Sequence, residues 1–174
     1  LDLIPENPTV GLKLVRPKQA KKRAATAIEV EQLRQVAHAY NERPDRKGPK
    51  PSSLLIDVVD VIAGTGLRIG EVLALRWSED VRLDLEPPVL FVEGTVVEGH
   101  RVRKDRQPVP KTSTSVRGIY IPDYLVEVLR RRQIQAEGRH SFVFETRTGR
   151  PVGPHQVRVQ LWKVRDWAAT RDDQ

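Results

Sequence analysis

Arg68 is the residue whose setting most clearly demands chemistry. It stands directly after the turn Gly64-Thr65-Gly66-Leu67 and opens the apolar helical run Ile69-Gly70-Glu71-Val72-Leu73-Ala74-Leu75-Arg76-Trp77. A helix N-terminus carries partial positive charge, so a cation there is locally unfavourable unless an anion sits between the two. Exposed backbone N–H groups, a helix dipole and a guanidinium together make a phosphate site. Residues 51–97 hold three Lys/Arg against eight Asp/Glu, so Arg68 is a placed cation in the acidic part of the chain. Its flanks are basic: eleven against six in residues 1–50, six against two in 98–117, and ten against seven in 118–174. They supply non-specific attraction for a polyanion.

The elements that must position Arg68 follow from periodicity and punctuation. Thr26 with Glu29 forms a capping box, and Ile28, Leu33, Val36 and Ala37 continue a helical stripe to about Tyr40. Residues 41–51 are a loop. Ser52 caps a second helix, mostly apolar through Leu54, Leu55, Val58, Val59, Val61 and Ile62, which Gly64-Thr65-Gly66 ends. A third helix is expected from Arg68 to Trp77. The character then changes: Val89-Leu90-Phe91-Val92 with Thr95-Val96-Val97, then Arg101 to Val109, then Val116 to Ile121 read as strands. Lys111-Thr112-Ser113-Thr114-Ser115 is a polar turn between the last two. Helices are expected again at Tyr124 to Gln135 and Pro154 to Ala169, the latter with Val157, Leu161, Val164 and Trp167 on one side. The expected fold class is α+β, mainly α, with helices around a small antiparallel sheet of about three strands.

The bulk properties bound the function. At 174 residues, residues 26–174 make one domain, and Pro5, Pro8 and Pro17 make residues 1–25 a linker. Its basic run, Lys18, Lys21, Lys22 and Arg23, reads either as a solvated connector or as a strap along phosphates. The net charge of +7 points to nucleic acid, or else to a basic but inert surface. The absence of cysteine excludes disulfides, thiol catalysis and cysteine-ligated zinc, and fits a cytoplasmic protein. No apolar run reaches membrane-spanning length, and the N-terminus is no signal peptide. With no initiator Met, the chain reads as part of something longer.

This order of motifs resembles the catalytic domain of tyrosine recombinases, the phage-integrase family, over about residues 4–170. Thr65-Gly66-Leu67-Arg68-Ile69-Gly70-Glu71 with Leu75-Arg76-Trp77 is similar to the family's first box, and Pro110-Lys111-Thr112 to Ser115-Val116-Arg117 to its sheet-turn lysine motif. Ile4-Pro5-Glu6-Asn7-Pro8 resembles the exit from the family's N-terminal core-binding domain, and Val143-Phe144 to Gly149-Arg150-Pro151 its link to the next helix. The resemblance implies that Arg68 holds the scissile phosphate and stabilises the five-coordinate transition state, a role worth ~3–4 kcal/mol per preorganised group. It implies that Lys111 is the general acid protonating the departing 5′ oxygen, although Lys104 lies in the same hairpin region. Glu71 would orient Arg68 or balance the helix N-terminus. Lys21, Lys22, Arg23, Arg101, Arg103, Lys104, Arg106 and Arg117 are the candidate DNA contacts. No metal or other cofactor is implied; the partner is double-stranded DNA, met by a tetramer of the full-length protein near the nucleoid.

The family also needs a His-x-x-Arg box and a nucleophilic tyrosine. His155-Gln156-Val157-Arg158 matches the box literally, but it follows Gly153-Pro154 at a helix start and lacks the family's context. Arg158 then reads as exposed or DNA-facing. Tyr40, Tyr120 and Tyr124 do not fit the nucleophile's place and read as structural. Trp77, Trp162 and Trp167 read as core anchors, and Arg130-Arg131-Arg132 as a solvated helix face or a phosphate contact. The expectation is a recombinase segment that binds DNA without cleaving it. The rival is a non-catalytic DNA-binding protein on the same scaffold. A basic RNA-binding module is disfavoured, since only 5% of residues are aromatic and no strand offers a stacking platform.

Overall fold

The computed structural model describes residues 23–45, 47, 52–99, 102–108, 117–136, 138 and 141–172. Helix α1 (Ala27–Glu42) starts where Thr26 predicts. The Thr26 hydroxyl accepts from the Glu29 N–H, and the Glu29 carboxylate reaches back to the Thr26 N–H at 2.8 Å. Helix α2 (Leu54–Thr65) begins one residue later than Ser52 implies, with Ser53 at the cap. It ends at Gly66, whose φ of 68° is the left-handed conformation that glycine tolerates and whose N–H returns to the Ile62 carbonyl. Helix α3 (Ile69–Leu73) is five residues long, shorter than the run to Trp77 suggests. After it the chain turns so that Arg76 bridges to Phe142 and the Leu75 carbonyl accepts from the Val143 N–H.

The sheet expectation is met in kind and refined in topology. Strands β1 (Val81–Arg82), β2 (Val89–Val92) and β5 (Arg117–Tyr120) form an antiparallel sheet in the order β1-β2-β5. Strands β3 (Gly94–Gly99) and β4 (Val102–Pro108) form a separate hairpin. The run from Val89 to Val97 is thus two strands, parted at Glu93, that belong to different sheets. Helices α4 (Asp123–Ala136) and α5 (Pro154–Asp172) complete the order.

One core joins the five helices with β1, β2, β3 and β5. Val58, Val61, Val72, Leu73, Leu90, Leu125, Leu129 and Phe144 are buried at its centre, with Val157 and Val164 contributed by α5. Each side chain of this size contributes about 1.5–3 kcal/mol when removed from water. Strand β3 lies against α3 at Gly70: a Cβ there would come within 2.5 Å of the Thr95 hydroxyl oxygen and 2.9 Å of the Val96 carbonyl oxygen. Gly70 is the close approach that lets the hairpin seat against the turn carrying Arg68.

Candidate active site

The Arg68 turn is built from below. The Thr65 hydroxyl donates to the Val61 carbonyl at 2.5 Å and accepts from the Leu67 N–H at 3.2 Å. Leu67 is 2% exposed and anchors the turn in the core, while the Arg68 side chain is 87% exposed. The backbone is pinned and the guanidinium is left outside. Glu71 does the pinning: its carboxylate accepts from the Arg68 N–H at 2.9 Å and lies 3.7 Å from the Arg68 guanidinium. It also receives both terminal nitrogens of Arg117 from β5, at 3.1 and 3.4 Å. A nearly buried carboxylate is thereby paired in the two-pronged way that Arg favours.

This corrects the expected backbone phosphate cradle. A five-residue helix has little dipole, and the Glu71 carboxylate already occupies the place an external anion would take at the Arg68 N–H. What remains available to an anion is the guanidinium itself. The two readings of Glu71 also merge, since one carboxylate both caps α3 and steadies Arg68.

The other basic candidates separate. Arg106 turns inward from β4: its Nε donates to the Ala74 carbonyl at 3.2 Å, and its guanidinium lies 3.6 Å from the buried Asp80. With the Arg106 side chain 14% exposed, its place among DNA contacts gives way to one inside the fold. Arg117 is shared between the surface and Glu71. Arg23 is exposed and pairs with Glu29, whose carboxyl is held down to about 2, first by that guanidinium and then by the Thr26 N–H. Arg103 and Lys104 lie on β4, with side chains outside the described residues, as are Lys21, Lys22, Arg101 and Lys111.

Sequence reasoning missed the buried carboxylates. Asp57 is fully buried on α2, and it receives Arg131 at 2.5 Å, Arg132 at 2.6 Å and the Ser53 hydroxyl at 2.6 Å. Arg132 also donates to the Val143 carbonyl and lies 4.4 Å over the Phe144 ring. Two of the three consecutive arginines are therefore ties to the core, not a solvated face. Asp60, 3% exposed, pairs with Arg34 at 3.2 Å, and burial pushes its carboxyl up. Asp80 accepts from the Arg76 N–H and side chain, while its own carbonyl receives the Phe91 N–H at 2.8 Å. The signal available was carboxylates at positions 57 and 60 inside an otherwise apolar helix.

Tyr40 and Tyr124 keep structural places, while Tyr120 on β5 is exposed. Tyr40 stacks edge-on with Trp167 at 5.7 Å. Tyr124 reaches toward the Asp60 carbonyl, and burial, helped by the Asp60 charge, raises its hydroxyl above the ordinary value. Trp162 is 46% exposed and is no core anchor. His155 and Arg158 sit exposed on the first turns of α5, and with Arg68 they line one open depression. Among the described residues, no helix is long and apolar enough to cross a membrane.

The helices around a small antiparallel sheet match the catalytic-domain fold of tyrosine recombinases. A transposon Tn1549 integrase solved with transposon right-end DNA superposes with a TM-score of 0.63, at 22% identity over 86% of this chain and 47% of that one. The XerA recombinase gives 0.54, at 15% identity over 83% of this chain and 42% of that one. In sequence, the chain is 30% identical over 135 residues to a tyrosine recombinase XerC-like protein of Caldanaerobacter subterraneus, 72% of this chain and 31% of the relative. No family model matches. In sequence the chain is similar to that tyrosine recombinase over 135 residues and in fold to the Tn1549 integrase, and it spans about a third of the length of that curated relative.

Proposed function

We propose that this chain is the DNA-gripping part of a site-specific recombinase, with residues 1–25 as the linker from a core-binding domain and residues 26–174 as part of the catalytic domain. Arg68 holds the non-bridging oxygens of the scissile phosphate, and Lys111 protonates the departing 5′ oxygen. A tyrosine outside these 174 residues attacks phosphorus and displaces that oxygen, and the covalent 3′-phosphotyrosine conserves the bond energy for rejoining. A tetramer of the full-length protein on DNA, with integration or excision of a phage or mobile element as its outcome, goes with this reading, as does a cytoplasmic, nucleoid-associated setting.

One observation carries the proposal: Arg68 is held by its backbone on Glu71 and Leu67, yet its guanidinium is 87% exposed. A side chain kept only for packing would not be presented in this way. Preorganised donors act on the transition state without reorganising. The chain alone is expected to bind duplex DNA, more weakly as salt rises, and to form no covalent adduct with a nicked suicide duplex. An adduct would falsify the second half. In a recombinase carrying this segment, Arg68→Ala should lower strand cleavage by about 10²–10³-fold and cost site binding only the share of one phosphate contact; wild-type cleavage by that variant overturns the assignment of Arg68. The non-catalytic alternative predicts DNA binding with no loss of any reaction on mutation.

A further inference from the structure

We infer that Arg158 is a second phosphate contact beside Arg68, so that one DNA strand is held between α3 and α5; this rests on the DNA-binding reading above. Arg68, Gly70, Thr95, Glu98, His155 and Arg158 are among the residues lining one open depression of about 720 Å³. Its two arginines come from elements far apart in sequence and brought together by the fold. Arg158 is exposed and has no hydrogen bond or ion pair with any described residue. Arg34, Arg76, Arg106, Arg117, Arg131 and Arg132 each hold a carboxylate. An arginine left over from this internal pairing, on the rim of the depression that holds Arg68, is suited to an external anion.

The acidic member of the depression is turned to a structural use. The Glu98 carboxylate accepts from the His155 N–H at 2.8 Å and so fixes the start of α5 to β3. The His155 ring packs edge-on against Trp162 at 6.3 Å, leaving Arg158 as the unpaired cation of this turn. The depression is open and flanked by cations from two elements. That shape suits a continuous chain of phosphates better than a small enclosed anion. Arg158 then supplies sequence-independent affinity and sets the strand where Arg68 meets its phosphate. The literal His155-Gln156-Val157-Arg158 match is a DNA contact, not the missing catalytic box.

The test is the salt dependence of binding to a labelled random-sequence duplex of about 30 base pairs, from about 50 to about 200 mM salt. Arg158→Gln should weaken binding and reduce the slope of log K against log salt by about 0.9, the share of one released counterion. Arg68→Gln should do the same, and the double variant should lose about twice as much. Arg158→Lys, which keeps the charge, should keep the slope, and Arg82→Gln on β1 should match wild type. Equal thermal melting of Arg158→Gln and wild type shows that folding is not the cause. A wild-type slope for Arg158→Gln, with the slope reduced in Arg68→Gln, overturns this inference and leaves DNA binding standing. Salt-independent binding by the unmutated chain, or none, overturns both.

Discussion

At the scale of single residues, exposure and support are separated around Arg68, and substitutions should separate them too. Arg68→Ala removes a side chain that is 87% exposed, so stability should change by no more than about 0.5 kcal/mol while DNA affinity falls by the share of one phosphate contact. Gly70→Ala does the opposite. Its new methyl would stand 2.5 Å from the Thr95 hydroxyl oxygen and 2.9 Å from the Val96 carbonyl oxygen, a backbone atom that yields little. Overpacking of this kind costs about 1–3 kcal/mol. The midpoint should therefore drop by several degrees in a thermal melt, with the Arg68 turn displaced. A melting temperature equal to wild type for Gly70→Ala would show that β3 does not seat on α3 as described. The glycine turn and its arginine were legible in the sequence because turn residues act locally. The role of Glu71 as acceptor for Arg117 was not, because that partner lies 46 residues away.

Between elements, buried ion pairs fix how α2, α4 and the sheets meet. Asp57 ties α2 to α4, and removing one member of a buried pair costs more than the pair is worth, since a charge is left without its partner. Asp57→Ala should cost about 3–5 kcal/mol. Arg132→Ala should cost less than that but more than Arg131→Ala, because Arg132 also binds the Val143 carbonyl and Arg131 is half exposed. Urea unfolding of the three variants gives the order directly; equal losses for the two arginines would contradict it. At the start of α1 the pH sign follows from Glu29. Its folded pKa is lowered from 4.5 to about 2, so its stabilising share is present above 4.5 and is lost as pH falls toward 2. That pair lies at the surface, so the effect should shrink with added salt. The four longer helices were legible because caps and a period of 3.6 act along the chain. The two-residue β1 is too short to carry a pattern, and the change of sheet at Glu93 interrupts no alternation that a sequence displays. The ties from Asp57 to Arg131 and Arg132 span 74 and 75 residues, so three arginines in a row could not be told from a solvated face.

Across the whole molecule, charge asymmetry along the sequence becomes internal pairing. The acidic stretch 51–97 folds its buried carboxylates Asp57, Asp60, Glu71 and Asp80 against arginines of the basic stretches: Arg34, Arg131, Arg132, Arg117 and Arg106. The net charge of +7 is therefore not spread evenly over every arginine in the sequence. Cations without an internal partner are the ones that can attract a polyanion, and Arg158 is among them on the described residues. The basic run Lys18, Lys21, Lys22 and Arg23 precedes α1 and decides how far the contact extends. If it straps along phosphates, Lys21→Gln with Lys22→Gln should lower the salt slope of duplex binding by about 1.8, two counterions' worth. The melting temperature should not move, because both lysines precede the capped start of α1 at Thr26. The loss should add to that of Arg158→Gln, since separate phosphates release separate counterions. If the slope of the double lysine variant equals that of wild type, the run is a solvated connector, and the DNA face does not extend to it.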